Sequence, residues 1–290
     1  MCNRPIESII TNGTRQRHIK YPCGHCIGCR LDKEKQWTER CEYEQKKFVK
    51  STMLTLTYDD LHLNFTENAT EPTLIKEDFN KFIDRVTQAS KTKYGKEFRY
   101  KFFGTGEYGG IFRRPHYHVL FFGLDFIEDK DLFKACWKLG QTDAKPIKQG
   151  GIRYVVDYFR KEMVSGDLAI EKYDKKGIER PFISHSQGLG RGLYFENREQ
   201  IKNTGQLKIG QRQFTVPAYY RSLLSDYESE QVYKQTDTLH KEKLRAQARA
   251  KKAGYESIEE YERNMKLARE MNLIEKIRRK GGIVDDREVF

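Results

Sequence analysis

The stretch Phe98–Gly123, FRYKFFGTGEYGGIFRRPHYHVLFFG, limits what this chain can become more than any other part of it. Gly109-Gly110 and the basic pair Arg113-Arg114 interrupt an apolar run, which predicts two strands, about 99–107 and about 115–123, joined by a loop. Side chains alternate between the faces of a strand, so His116, His118, Leu120 and Phe122 share one face of the second. Glu107 ends the first strand and faces the histidines across the same end of the hairpin. A carboxylate and two imidazoles within reach of one another are the donor set of a divalent-metal site. The other reading is a hairpin whose histidines simply cover a sheet face. It suits a lone histidine better than it suits His-x-His with a facing glutamate.

The chain has 290 residues, enough for one large domain or one domain with extensions. Its net charge of +12 points to an anionic partner, most economically nucleic acid. No apolar run is long enough to span a bilayer, and the opening residues MCNRPIESII lack a signal-peptide pattern. The expectation is a soluble intracellular protein with no membrane partner. Cys2, Cys23, Cys26 and Cys29 gather at one end of the chain, which favours metal over a disulfide framework. Three thiols at two-residue spacers, with Cys2 brought back as a fourth, make a tetrahedral structural zinc site that staples a coreless segment. His18, His25 and Cys41 are substitute ligands. Unligated reduced cysteines are the alternative; an iron–sulfur cluster fits less well, because the fourth cysteine is misplaced and no proline follows.

The rest of the chain orders itself around the hairpin. Arg30–Lys50 is charged and free of Gly and Pro, and predicts a helix carrying Trp37 and Cys41 on its packed stripe. Ser51–Tyr58, STMLTLTY, alternates cleanly and predicts a central strand. Leu74–Lys91 has helical spacing, Glu128–Leu139 is a short helix containing Trp137, and Thr142–Lys148 is a strand candidate. Gly151–Met163, GIRYVVDYFRKEM, predicts a helix with Tyr154 and Tyr158 on one face and Lys161 a turn beyond. Those tyrosines either pack against the sheet or serve chemistry. Gly188-Leu-Gly190-Arg191-Gly192 reads as a flexible loop, with a phosphate cradle using Arg191 as the alternative. From Pro217 the chain looks helical, with a stripe of Ile258, Tyr261, Met265 and Ala268 amid dense charge. The divisions are 1–50, a Cys-rich segment and helix; 51–165, the core; 166–216, a Gly-rich basic loop region; and 217–290, a charged helical extension.

The strand MLTLTY, the strand PHYHVLFF and the helix YVVDYFRK fall in an order that resembles the HUH endonucleases that start rolling-circle replication. The likeness is nearest to the replication initiators of microviruses, in particular the gokushovirus-like branch, whose pattern CGHCIGCR, GEYG before RPHYH, and Tyr-x-x-x-Tyr also follow. The resemblance implies an α+β HUH endonuclease fold: a five-stranded antiparallel sheet with flanking helices, here with a helical C-terminal extension. It implies that His116 and His118 bind the catalytic Mg²⁺ or Mn²⁺, with Glu107 as the carboxylate ligand. It implies that Tyr154 and Tyr158 are nucleophiles; Tyr158 with Lys161 also fits a simpler Tyr-x-x-Lys form. Asp157 departs from the pattern, where a basic or neutral residue is expected.

A phenol has a pKa of about 10 and needs a polarised phosphorus and nearby cations to attack at neutral pH. A divalent ion supplies the first, and Lys161 or Arg153 the second. Attack leaves a 5′-phosphotyrosine and a free 3′-hydroxyl, so the strand can later be rejoined. Arg113, Arg114, Arg153 and Arg191 are candidate phosphate contacts, and Tyr108, Tyr117 and Phe112 candidate stacking platforms for single-stranded DNA. The implied partners are single-stranded origin DNA, the double-stranded replicative form, and a host helicase and polymerase, in the cytoplasm of a bacterial host. The alternatives are a two-tyrosine HUH transposase and a non-catalytic zinc-containing DNA-binding module. A relaxase is disfavoured, because its tyrosine precedes its histidines.

Overall fold

A computed structural model of the chain describes residues 6–12, 15–24, 26–67, 71–110, 112–148, 150–157, 166–204, 206–209, 212–216, 218–225 and 247–279. The elements that matter for the site are β1 (Ile6–Asn12), β2 (Arg15–Tyr21), α1 (Ile27–Lys47), β3 (Ser51–Tyr58), α2 (Lys76–Tyr94), β4 (Lys101–Tyr108), β5 (Pro115–Phe122), α3 (Lys130–Cys136), β6 (Gly140–Pro146), α4 (Gly151–Val156), α5 (Gly166–Lys172) and β7 (Phe182–His185). Five of the strands form one sheet in the order β6-β3-β5-β4-β7, and every neighbouring pair is antiparallel. This is the α+β arrangement expected, an antiparallel five-stranded sheet flanked by helices, with a further helix, Ile258–Arg279, toward the C-terminus.

Period-two alternation gives the sheet two different faces. On one, Leu54, Leu56 and Tyr58 of β3 meet Tyr117, Val119 and Phe121 of β5 under α2 and α3, all of them essentially without exposure. Helix α2 suits that cover: Phe79, Phe82, Ile83 and Val86 recur at helical spacing, Glu77 and Asp78 oppose the N-terminal dipole, and Lys91 and Lys93 the C-terminal one. Gly95, at φ 100°, ends it. Burying side chains such as Val119 and Phe121 stabilises the fold by about 1.5–3 kcal/mol each. The polar atoms in this layer are matched. The Tyr117 hydroxyl lies 2.8 Å from that of Tyr58 and donates to the Ile75 carbonyl at 2.9 Å, while Tyr58 donates to Asp78 at 2.7 Å. Burial pushes both phenols far above the ordinary tyrosine range.

The opposite face carries a smaller apolar layer at one end. Phe103, Leu120 and Phe122 pack there against Cys41 of α1 and against Ile152, Val155 and Val156 of α4. Trp37 joins them, its ring 5.1 Å from Phe103 and under the Arg40 guanidinium at 3.7 Å. The other end of this face is the one that bears Glu107, His116 and His118.

Two stretches differ from their sequence reading. The coreless N-terminal segment contains a two-stranded hairpin, β1 with β2, ahead of the cysteine run. The region read as Gly-rich loop, 166–216, contains α5, the short strand β7 that completes the sheet against β4, helices Arg191–Glu196 and Arg198–Thr204, and a hairpin of Gln206–Ile209 with Arg212–Thr215. The chain divides into two compact units, the second starting at Gly190. That unit has its own small core, in which Leu193, Tyr194, Ile201, Leu207 and Tyr220 are buried and the Tyr194 and Tyr220 rings stack.

Candidate active site

The antiparallel register sets Glu107 of β4 opposite His116 of β5, and His118 opposite both Thr105 of β4 and Thr55 of β3. Directly opposed residues share a face, so these side chains point the same way. The closest approach is diagonal: Glu107 Oε1 lies 2.8 Å from His118 Nε2. The other ring nitrogen of His118 is 3.1 Å from the Thr55 hydroxyl, and His116 Nδ1 is 3.5 Å from that of Thr57. Burial lowers the pKa of His116 from its ordinary value, and the charges of His118 and Arg114 add to that while Glu107 opposes it. A neutral imidazole is the form that binds a metal.

Two cis ligands about 2.1 Å from an octahedral ion lie about 3 Å apart, so the Glu107–His118 pair fits one Mg²⁺ or Mn²⁺ as it stands. Each imidazole also has a hydroxyl near its second nitrogen, as metal-bound histidines usually do. His116 is not yet in place. Among the described residues Glu107, His116 and His118 do not form a set of donor atoms within 4.8 Å of one another. The two imidazole centroids are 6.4 Å apart, and His116 Nε2 rests against Gly109, only 2.8 Å from where a Cβ on that glycine would sit. Joining the ion requires the His116 ring to leave that niche.

Helix α4 brings Tyr154 to the same place. Gly150 enters it with φ 86°, a left-handed conformation that glycine adopts without strain, and Ile152, Val155 and Val156 bury the opposite side of the helix. Tyr154 is left 55% exposed, with its ring 5.5 Å from that of His118 and edge-on to it. Tyr158 and Lys161 lie outside the described residues. Arg153 is exposed on the same helix.

The remaining candidates are dispersed. Arg113 pairs with Glu71, which also holds Lys176 at 2.6 Å. Arg114 donates to the Tyr58 carbonyl at 2.6 Å and to Asp60 at 2.8 Å. Arg191 belongs to the second unit, its guanidinium over the Phe195 ring. Tyr108 and Tyr117 are not stacking platforms: both are buried, because their strand positions face the apolar layer under α2. Phe112, in the loop, is 86% exposed. Residues that sequence reasoning passed over are Thr55, Thr57 and Gly109. The first two were visible as one face of MLTLTY, but their histidine partners required the β3–β5 register.

The cysteine run forms a second cluster. The donor atoms of Cys23, Cys26 and Cys29 lie within 4.8 Å of one another, with Cys23 Sγ 3.9 Å from Cys29 Sγ. Tetrahedral zinc with Zn–S bonds near 2.3 Å requires sulfurs roughly 3.8 Å apart. The Cys26 N–H also points at Cys23 Sγ, 3.4 Å away, as suits a thiolate. The cluster can bind a metal such as zinc. Cys2 and His25 lie outside the described residues. Cys41 is excluded as a substitute, because it is wholly buried under β5 and burial pushes its thiol far up.

Residues 51–163, which carry β3 to β6, both histidines and both tyrosines, match the family model of the replication-associated protein ORF2. The chain is 27% identical over 213 residues to replication-associated protein ORF2 of Spiroplasma virus 4, covering 69% of this chain and 66% of that one. It is 26% identical to replication-associated protein ORF4 of Chlamydia phage 1, covering 74% and 56%, and 26% identical to replication-associated protein VP4 of Bdellovibrio phage phiMH2K, covering 69% and 66%. The chain resembles the replication-associated proteins of microviruses. The matched stretch spans slightly less than two thirds of the length of these microviral relatives, and no solved structure matches the chain. No helix among the described residues is long and apolar enough to cross a membrane.

Proposed function

We propose that this chain is a microviral replication initiator that nicks single-stranded origin DNA through a tyrosine and later rejoins the displaced strand. One observation carries the reading: an exposed phenol, Tyr154, stands 5.5 Å from an imidazole whose Nε2 already meets a carboxylate, Glu107. A binding module has no need of that juxtaposition. The names of the microviral relatives agree with a part in replication.

Glu107 and His118, with His116 once it has left the Gly109 niche, are the residues that would hold a divalent cation. When bound, Mg²⁺ or Mn²⁺ at that end of the hairpin supplies Lewis-acid polarisation of a phosphate oxygen. The chain's own residues do the rest. Tyr154 Oη attacks phosphorus, the P–O3′ bond breaks, the phenol loses its proton to solvent and the departing 3′ oxygen takes one up. The product is a 5′-phosphotyrosine, which conserves the phosphodiester for later attack by a 3′-hydroxyl. Thr55 fixes the tautomer and orientation of His118 throughout. Arg153 is the cation nearest in sequence to the nucleophile and steadies the phenolate, with Lys161 in the same role and Tyr158 as the second nucleophile. The Cys23–Cys26–Cys29 cluster holds structural zinc, with Cys2 as the fourth ligand. The setting is the host cytoplasm, with the double-stranded replicative form, a host helicase and a polymerase as further partners.

The test is incubation with labelled single-stranded origin DNA and Mn²⁺, followed by a denaturing gel. Tyr154→Phe and Tyr158→Phe should each still form a covalent adduct, and the double variant none. An adduct that survives in the double variant, or its absence from the unaltered protein, overturns the reading.

A further inference from the structure

Next to His116, on the side away from His118, the fold leaves a cavity of about 580 Å³ that the nicking chemistry does not use. Leu63, Phe65, Pro72 and Phe112 line it with carbon, and Arg114 and His116 close it. Its composition is out of keeping with its position. The protein carries a net charge of +12, yet two aromatic rings stand in solvent here, Phe65 58% and Phe112 86% exposed. Large exposed apolar groups gathered round one hollow mark a binding surface more often than an accident.

The loop holding Phe112 is tied down on either side of the hollow. Arg113 has φ 49°, a conformation that costs a non-glycine residue energy, and its side chain is held by Glu71 and lies over the Tyr108 ring. Arg114 turns the other way, to the Tyr58 carbonyl and Asp60. The Phe112 ring is therefore presented by an anchored loop. Gly109 and Gly110 contribute only backbone to the cavity wall, and a Cβ on Gly110 would meet nothing within 4 Å, so a flat ligand meets no obstruction there.

We infer that this cavity receives one unstacked nucleobase of the single-stranded DNA, from a nucleotide adjoining the phosphate at Glu107 and His118. The inference rests on the nuclease reading above and names how that site holds its substrate. A base inside a duplex cannot enter such a hollow, so the cavity selects single strands. Its lining offers π faces and few free polar atoms, so it takes purines and pyrimidines alike by stacking and reads no sequence.

The probe is fluorescent oligothymidylate of about eight nucleotides, a length within the usual site size of single-strand binders, in chelator so that no cleavage occurs. Phe112→Ala should weaken binding about tenfold, the loss of one base–aromatic stack, and Phe112→Trp should restore it. With 5-iodouracil in place of thymine, irradiation should cross-link the strand to a peptide containing Phe65 or Phe112. Unchanged affinity in Phe112→Ala together with cross-links confined to other peptides overturns the inference. The covalent-adduct assay separates the two claims. Stacking without adduct leaves the cavity and removes the nuclease; adduct without stacking does the reverse.

Discussion

Gly109→Ala tests whether His116 must move to reach the ion. The new Cβ would sit 2.8 Å from His116 Nε2, where ordinary contact begins at 3.4 Å, an overlap of 3.4 − 2.8 = 0.6 Å. Gly109 does not have a positive φ, so alanine brings no backbone strain of its own. Overpacking of this size costs about 1–3 kcal/mol, and the ring is only partly buried, so the low end applies. That cost falls on the conformation with His116 in its niche. If His116 vacates the niche on binding, the metal-bound state escapes the cost, and Mn²⁺ affinity should rise about fivefold, the equivalent of about 1 kcal/mol. The melting temperature should fall by about 2–4 °C in chelator and be unchanged with saturating Mn²⁺. Gly110→Ala, whose Cβ would touch nothing, is the control and should stay within about 0.5 kcal/mol of the parent in both conditions. Calorimetric titration with Mn²⁺ and thermal melts read both quantities. A tenfold loss of affinity in Gly109→Ala would refute the argument, because it would mean that His116 binds the ion from where it now rests.

Two further expectations concern the surroundings of the site. Cys26→Ser should abolish binding of about one zinc per chain and lower the melting temperature while leaving Mn²⁺ affinity intact; elemental analysis and melts check it, and equal stability without metal would leave the cluster with no structural part. Burial pushes the Glu71 carboxyl up, but Lys176 and Arg113 outweigh that and hold it below its ordinary value of 4.5. Its stabilisation is therefore present above that value and lost as pH falls through the lower folded value. Glu71→Gln should cost up to about 1 kcal/mol at neutral pH, with the difference from the parent vanishing in acid. A difference that does not change with pH in urea unfolding would contradict it.

What the sequence made legible depended on distance along the chain. Ser51–Tyr58 and the 98–123 hairpin could be read because alternation is local, and a hairpin brings its own partner. β7 could not: four residues have no detectable period, and their partner β4 lies some 75 residues upstream by number, 182 against 106. The pairing of Glu107 with the histidines followed from the hairpin, but which histidine it touches did not. Opposite residues share a face, whereas the contact that forms is the diagonal one to His118. The niche at Gly109 depends on the path of the loop, which no strand pattern encodes. Tyr108 and Tyr117 were misjudged for a related reason: aromatic identity suits a core as well as a stacking platform, and only the parity of the strand separates them.

That parity on β5 has a bearing on how the protein reaches its active form. In PHYHVLFF, one set of alternating positions holds both imidazoles and the other holds Tyr117, Val119 and Phe121, all fully buried. A slip of one residue against β3 exchanges the two sets. Both imidazoles would then enter the aromatic layer beneath α2, and three large apolar side chains would turn to water. Such a strand has almost no well-folded but chemically dead alternative: the error that removes the ligands also removes the core. Assembly of the sheet thus proofreads the site, and a population of chains that has acquired native stability has, by the same event, acquired its ligands on the right side.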